Sequence, residues 1–316
     1  MNRDGQIIPI YLLTGFLESG KTTLLHTMLK DERFTQGQKT LVIGCEEGEV
    51  EYDKDLFAKT NTVLVTLDAP EELGISKLRE LNRLHRPERV IIEYNNVWGM
   101  KRLGQTQLPL KWRYTQIITL ADATTFDNYM TNMRQLLTDP MKEADLVMVN
   151  RCTADSPKSA WRRQIRAMNP NTNVLFEGPD GEVDDGVADE DLPYDMKADV
   201  IDITEDQMAI AYLDSLDHPE RYDGKTIRMN GQIFRDDDMP PGYFLFGRLA
   251  MTCCADDIAR LGWITQGTCS APETQFMRLT ARCRLMNAPD GRQGLMLQEL
   301  QTEKGQKPKQ EYLSFT

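Results

Sequence analysis

The sequence predicts an α/β fold built on a mostly parallel sheet, followed by a small β-barrel of the OB-like type. Three observations lead there. Short unbroken apolar runs alternate with amphipathic helical stretches through residue 177, as strands buried on both faces of a parallel sheet require. The first run leads into GFLESGKT, residues 15–22, which fits the phosphate-loop spacing between a strand and a helix and so predicts a P-loop NTPase. Beyond residue 206 the pattern changes to strands with alternating apolar residues, broken by Gly, Pro and Asp, which is the grammar of antiparallel pairing.

Taken in order, IIPIYLL (7–13) is the first strand, and the helix after it opens at Lys21. TLVIG (40–44) and TVLVTL (62–67) come next, then an amphipathic helix over Glu71 to Leu84. RVIIEY (89–94), TQIITLAD (115–122) and DLVMVN (145–150) follow, with a helix over Lys158 to Met168 before NVLF (173–176). In such sheets ligands sit beyond the carboxyl ends of the strands. A helix over Glu205 to Leu216 introduces five further strands: KTIRMNGQIF, GYFLFGRLAMTC, GWITQG, QFMRLTARCRLM and LMLQEL. In the fourth, Met277, Leu279, Ala281, Cys283 and Leu285 share one face, and Arg278, Thr280, Arg282 and Arg284 share the other. That is a half-exposed strand, and five such strands in about ninety residues suit a small barrel.

The expected organisation is a P-loop domain over 1–180, an acidic linker over 181–205 and the barrel over 206–316. Between Glu177 and Asp206 thirteen acids are offset only by Lys197, which equals the whole net charge of −12. That balance weighs against nucleic acid as a partner, since phosphate backbones need a basic face. No run approaches the length of a membrane span, and the N-terminus lacks a signal peptide's cleavage site. The expectation is a cytoplasmic protein without membrane insertion, whose six cysteines are reduced thiols or metal ligands.

In the phosphate loop, Gly15 and Gly20 allow tight turns that aim backbone amides at phosphates. The helix N-terminus adds partial positive charge. Lys21 reaches the β- and γ-phosphates, the Thr22 hydroxyl binds Mg²⁺, and Glu18, Ser19 and Thr23 complete the lining. Around this loop, IPIYLLTGFLESGKTTLL, GEVEYD (48–53), IIEY (91–94), LADATTF (120–126) and EADLVMVNRC (143–152) occur in order. Together they resemble the CobW family of P-loop GTPases, over roughly residues 7–177.

The resemblance implies GTP and Mg²⁺ as ligands, and metal trafficking, to a metal-requiring client protein, as the setting. It places Glu46 and Asp53 in the loop that approaches the γ-phosphate, and Glu93 at the Walker B acid that holds Mg²⁺ or its waters. Asn150, with Arg151 beside it, takes the start of the element that reads guanine. Three positions depart from the family pattern. Glu18 stands for a glycine. The E-x-x-G element reads Glu93-Tyr-Asn-Asn96, and N-K-x-D reads Asn150-Arg-Cys-Thr153, with Asp155 two residues late. The family's C-x-C-C element is missing, because Tyr52 to Leu67 holds no cysteine.

Ligands for zinc must therefore lie elsewhere, and Cys253, Cys254 and Cys269 are the candidates. Adjacent strand residues point to opposite faces, so Cys253 and Cys254 share a metal only at a turn; otherwise they are two small buried residues. Cys283 lies on an apolar face and reads as core. The second half also resembles the soluble domain of a poorly characterised bacterial membrane-protein family with an arginine ahead of a vicinal cysteine pair. That likeness implies a site formed by Arg248, Cys253 and Cys254.

The expected function is Mg²⁺-dependent GTP hydrolysis coupled to zinc handling or delivery. The alternatives are a nucleotide-regulated scaffold with little turnover, an OB-type nucleic-acid binder suggested by Arg278, Arg282 and Arg284, and a small-molecule kinase.

Overall fold

A computed structural model of the chain describes residues 7–186, 192–251, 258–287 and 293–313. The first series of elements is β1 (Ile8–Gly15), α1 (Lys21–Lys30), α2 (Glu32–Thr35), β2 (Thr40–Gly44), α3 (Lys54–Lys59), β3 (Thr62–Thr66), α4 (Ile75–His85), β4 (Arg89–Glu93), α5 (Met100–Gln105), β5 (Trp112–Asp122), α6 (Phe126–Asn132), α7 (Arg134–Glu143), β6 (Leu146–Asn150), α8 (Lys158–Met168), β7 (Asn173–Glu177) and β8 (Val183–Asp184). The second is β9 (Ile201–Ile203), α9 (Met208–Asp217), β10 (Thr226–Phe234), β11 (Tyr243–Met251), β12 (Ile258–Gln266), β13 (Met277–Asn287) and β14 (Gln293–Lys304).

The first sheet has the order β3-β2-β4-β1-β5-β6-β7-β8. Every pair is parallel except the β7–β8 hairpin. The unbroken apolar runs have the expected cause. All residues of β2 and β4 are buried, because both faces of the sheet are covered. Successive residues of β1 alternate sides. Leu12 joins Ile43, Ile92 and, from α4, Leu78 and Leu81 on one face. Leu13 joins Val42, Ile91 and, from α1, Leu25 and Leu29 on the other. This puts the β1–α1 turn in the middle of the sheet, between β4 and β5, where a P-loop fold binds its ligand.

Three elements differ from the expectation. The helix expected from Glu71 starts at Ile75. Pro70–Glu72 forms a 3₁₀ turn, and Gly74 is extended (φ −121°, ψ 163°) as the cap. Strand β5 begins at Trp112 rather than Thr115, and it carries a register shift opposite Ile10 and Tyr11 that hides its period. The stretch 181–205, expected as a linker, contains β8 and β9.

The chain divides into two compact units, residues up to 158 with 171–186, and residues 159–170 with those from 187 onward. Most of α8, read from sequence as part of the first domain, thus belongs to the second unit. Its Arg166 pairs with Asp217 at 2.8 Å and its Arg162 with the same carboxylate at 3.1 Å, while Ala167 joins the second unit's core.

In that unit a separate sheet runs β11-β12-β14-β13-β10-β9, with a further pairing of β11 to β10. The hydrogen-bonded pairs β10, β11, β12, β14 and β13 therefore return to β10. All are antiparallel except β12 with β14. Trp263, packed edge-on against Tyr212, donates its indole N–H to Ser215 of α9 at 2.8 Å. Among the described residues no helix is long and apolar enough to cross a membrane.

Candidate phosphate and cation site

The loop from Gly15 to Gly20 can adopt its path only with glycine at both ends. Gly15 (φ 136°) and Gly20 (φ 97°) have positive φ. A Cβ on Gly15 would stand 2.3 Å from the carbonyl of Leu120, and one on Gly20 would stand 2.5 Å from Nδ2 of Asn150. The amide of Gly15 donates to Oδ1 of Asn96 at 3.2 Å. Asn96 follows β4 and stands where the sequence resemblance leads one to expect a glycine.

At the head of α1, Lys21 is 3% exposed. Its ammonium donates to the carbonyls of Gly15 (2.9 Å) and Phe16 (2.7 Å) and forms an ion pair with Glu46. The next residue, Thr22, donates its hydroxyl to Oε1 of Glu93 at 2.7 Å, and Tyr52 donates to Oε2 at 3.0 Å. Glu93 is 3% exposed at the carboxyl end of β4. Burial holds its carboxyl above the ordinary carboxylate range, against the lowering effect of the Thr22 and Tyr52 hydroxyls and the Lys21 charge. Burial raises the Tyr52 phenol as well, with the Glu93 charge adding to it. A small cavity of about 30 Å³ collects Glu18, Gly20, Lys21, Thr22, Thr23, Glu46, Glu93 and Arg151.

Glu18 holds the left-handed conformation (φ 61°) that a glycine would take without strain. Its side chain is exposed and accepts the Glu49 amide at 2.8 Å, which ties the phosphate loop to the acidic loop after β2. On the other flank, Asn150 donates to the carbonyl of Ser19 at 2.7 Å. Arg151, also left-handed (φ 56°), donates to the carbonyl of Glu18 at 3.0 Å and pairs with Asp122. Ser19 Oγ and Asn150 Oδ1 are buried and have no hydrogen-bond partner. Non-glycine residues in sparsely populated backbone regions, together with unpaired buried polar atoms, are features that gather at binding sites.

Lys21, Glu46, Thr22 and Glu93 are thus brought together, with Asn150 and Arg151 against the same loop. Asp53 is not with them. Its carboxylate is exposed and caps α3, accepting the Leu56 amide at 2.9 Å, while its own amide donates to Nε2 of His26 at 3.2 Å. An aspartate three residues ahead of a short apolar run is an N-cap signature, so this placement was readable. Asp155 is exposed. Tyr52 and Asp122 were not singled out from sequence. Both lay within the quoted motifs, but only the tertiary pairing with Glu93 and Arg151 gives them a role.

Cys253 and Cys254 lie outside the described residues. Among the described residues no three His, Cys, Asp or Glu side chains converge to hold a metal ion. Cys269 is half-buried, and its amide is accepted by Glu299 at 3.2 Å. Cys283 is fully buried, and burial pushes its thiol up to about 12. Arg248 is 3% exposed, donates to the carbonyl of Gln310, and has no partner at Nε.

A glycine-bounded loop between the central parallel strand and its helix, with Lys21, Thr22 and a strand-end carboxylate converging on it, defines a P-loop nucleotide-binding fold. Residues 9–176 match the family described as CobW/HypB/UreG, nucleotide-binding domain. This is more than half of the chain, which belongs to that family. Residues 182–314 match the domain described as DUF1980 C-terminal domain. A relative from Escherichia coli (strain K12), named zinc chaperone YjiA, is 26% identical over 196 residues, covering 57% of this chain. The chain spans 60% of that relative's length. Among solved structures, Zn(II)-bound YjiA GTPase from E. coli is 18% identical with a TM-score of 0.41, over 78% of this chain and 86% of that one. HypB from Archaeoglobus fulgidus is 12% identical with a TM-score of 0.37, over 55% and 82%.

Proposed function

We propose that this protein is a Mg²⁺-dependent GTPase that couples nucleotide state to the handling or delivery of zinc. The reading rests above all on the convergence of Lys21, Thr22 and Glu93 at the carboxyl ends of β1 and β4. A hydroxyl and a carboxylate 2.7 Å apart are the hard oxygen donors that Mg²⁺ takes, so Thr22 and Glu93 would hold the ion. Bound there, Mg²⁺ neutralises charge on the phosphate oxygens.

The chain's own groups supply the rest. The Lys21 ammonium, released from Glu46, would bind the β- and γ-phosphates. The amides of the loop would face the same oxygens, fixed in place before the reaction. Asn150 and Arg151 would frame the base, and on family likeness we favour GTP over ATP. We propose that the ring of strands β10, β11, β12, β14 and β13 is an OB-like barrel that presents cargo or binds a client. Zinc as cargo would be taken by Cys253 and Cys254, with Cys269 as the further candidate.

One observation favours slow turnover and a scaffold role. Both oxygens of Glu93 are engaged, by Thr22 and by Tyr52. Steady-state phosphate release from GTP and ATP, with Mg²⁺ and across a zinc titration, decides between the two. Zinc-dependent GTP turnover that disappears in Lys21→Ala supports the coupled GTPase. Tight binding without turnover leaves the scaffold, and normal hydrolysis by Lys21→Ala removes the assignment.

A further inference from the structure

Next to the phosphate loop lies a second cavity of about 420 Å³, within the range that small-molecule sites occupy. It opens at the carboxyl ends of β1, β2, β3 and β4, the edge at which such sheets bind ligands. Its lining includes the apolar Leu17, Leu67 and Val97, of which Leu17 and Val97 are 52% and 74% exposed. The acidic residues Glu46, Glu47 and Asp68 line it as well. Among the described residues Glu47 and Asp68 have no ion-pair partner. Glu46 pairs with Lys21 and lines both this cavity and the small one at the phosphate loop.

We infer that this cavity binds an organic cation, a primary ammonium or a guanidinium on a short apolar stem, and that the cation promotes nucleotide binding by drawing Glu46 away from Lys21. Charge decides the class of ligand, since three acidic residues line one cavity and, among the described residues, no basic one does. A metal ion would need donors converging at bonding distance, and no group of three does so among the described residues. An organic cation is held by charge and hydrogen bonds over longer reach, while its stem takes the wall of Leu17, Leu67 and Val97. The sign of the coupling follows from Glu46. Lys21 cannot serve phosphate oxygens fully while it shares its charge with that carboxylate, and a second cation competes for it. The effect is reciprocal, because linkage requires nucleotide to tighten cation binding by the same factor.

The inference rests on the nucleotide-binding reading for its second half only, and the test separates the two. Binding of butylguanidinium and of its neutral isostere butylurea is measured calorimetrically on the full chain, first without nucleotide. Butylguanidinium is expected to bind at least tenfold more tightly. Asp68→Asn and Glu47→Gln, both exposed, are expected to weaken it by about two- to fivefold each, and added salt to weaken it further. Equal affinity for the two probes, or indifference to both substitutions, overturns the site. GTP affinity is then measured with and without saturating butylguanidinium, and an increase of about fivefold or more is expected. An unchanged GTP affinity overturns the coupling, whereas failure to bind GTP at all overturns the nucleotide reading and leaves the cation site standing. A short arginine-bearing peptide run beside butylguanidinium tells the source. Tighter binding of the peptide marks a partner's side chain as the ligand, and weaker binding marks a free small molecule.

Discussion

Replacing Gly20 with alanine tests how the phosphate loop is held. Two costs arise, and they can be separated. The backbone at Gly20 (φ 97°, ψ 12°) is left-handed, which costs a residue with a Cβ about 1–2 kcal/mol. The new methyl also arrives 2.5 Å from Nδ2 of Asn150, far inside contact distance. That nitrogen cannot retreat without giving up its 2.7 Å bond to the carbonyl of Ser19, a loss of about 1–2 kcal/mol when the acceptor is left buried. The sum is roughly 2–4 kcal/mol, or a fall in melting temperature of about 5–12 °C for a unit of this size. In an Asn150→Ala background the clash is gone and only the backbone cost remains, so Gly20→Ala should then cost about 1–2 kcal/mol. Urea unfolding of the wild type, both single variants and the double variant gives the coupling directly. If Gly20→Ala costs the same in both backgrounds, Asn150 does not stand where the methyl must go, and the account of the loop is wrong.

Other consequences are open to measurement. Burial holds Glu93 above its unfolded value, so its contribution to stability is full below the ordinary carboxylate range and is lost as pH rises through the folded value. If Glu93 holds Mg²⁺ as proposed, Mg²⁺-dependent nucleotide binding uses the ionised form and should rise over that same window. Tyr52→Phe removes a donor to the carboxylate and should move both transitions to higher pH, and an unmoved profile would detach Tyr52 from the site. Asp217→Ala takes away the carboxylate that Arg162 and Arg166 share; calorimetry should show the second unit destabilised by roughly 2–3 kcal/mol, less than for a fully buried pair because all three side chains retain some exposure. With its thiol fully buried and pushed up to about 12, Cys283 should resist iodoacetamide at pH 8 in the native state, whereas half-buried Cys269 should be alkylated faster.

Sequence patterns reach furthest where one cause fixes the residue type. β2 and β4 could be read because a strand buried on both faces must be apolar throughout. Lys21 and Thr22 could be read because a phosphate loop fixes their spacing, and Glu93 because the family resemblance marks the acid at the end of that apolar strand. The 3₁₀ turn at Pro70–Glu72 and the register shift in β5 escaped, since each depends on where a neighbouring element packs. Tyr52 escaped for the same reason, as nothing within GEVEYD marks its hydroxyl for Glu93, 41 residues away. The helix α8 was recognised as a helix but given to the wrong body. Its period reports an apolar face and says nothing about which core the face enters.

That placement of α8 also changes what the word domain can mean for this chain. The two compact units exchange the chain after residues 158, 170 and 186, so the path crosses from one to the other three times. A gene fragment ending near residue 180 would deliver α8 without the core that receives Ala167, and a fragment beginning there would leave that core short of a wall. A single nick after Gly186 would part the chain into two molecules, and the second would leave residues 159–170 of its own unit on the first. The break between the two family matches, at residues 176 and 182, is therefore not where the compact units divide, since α8 lies before it and packs in the second.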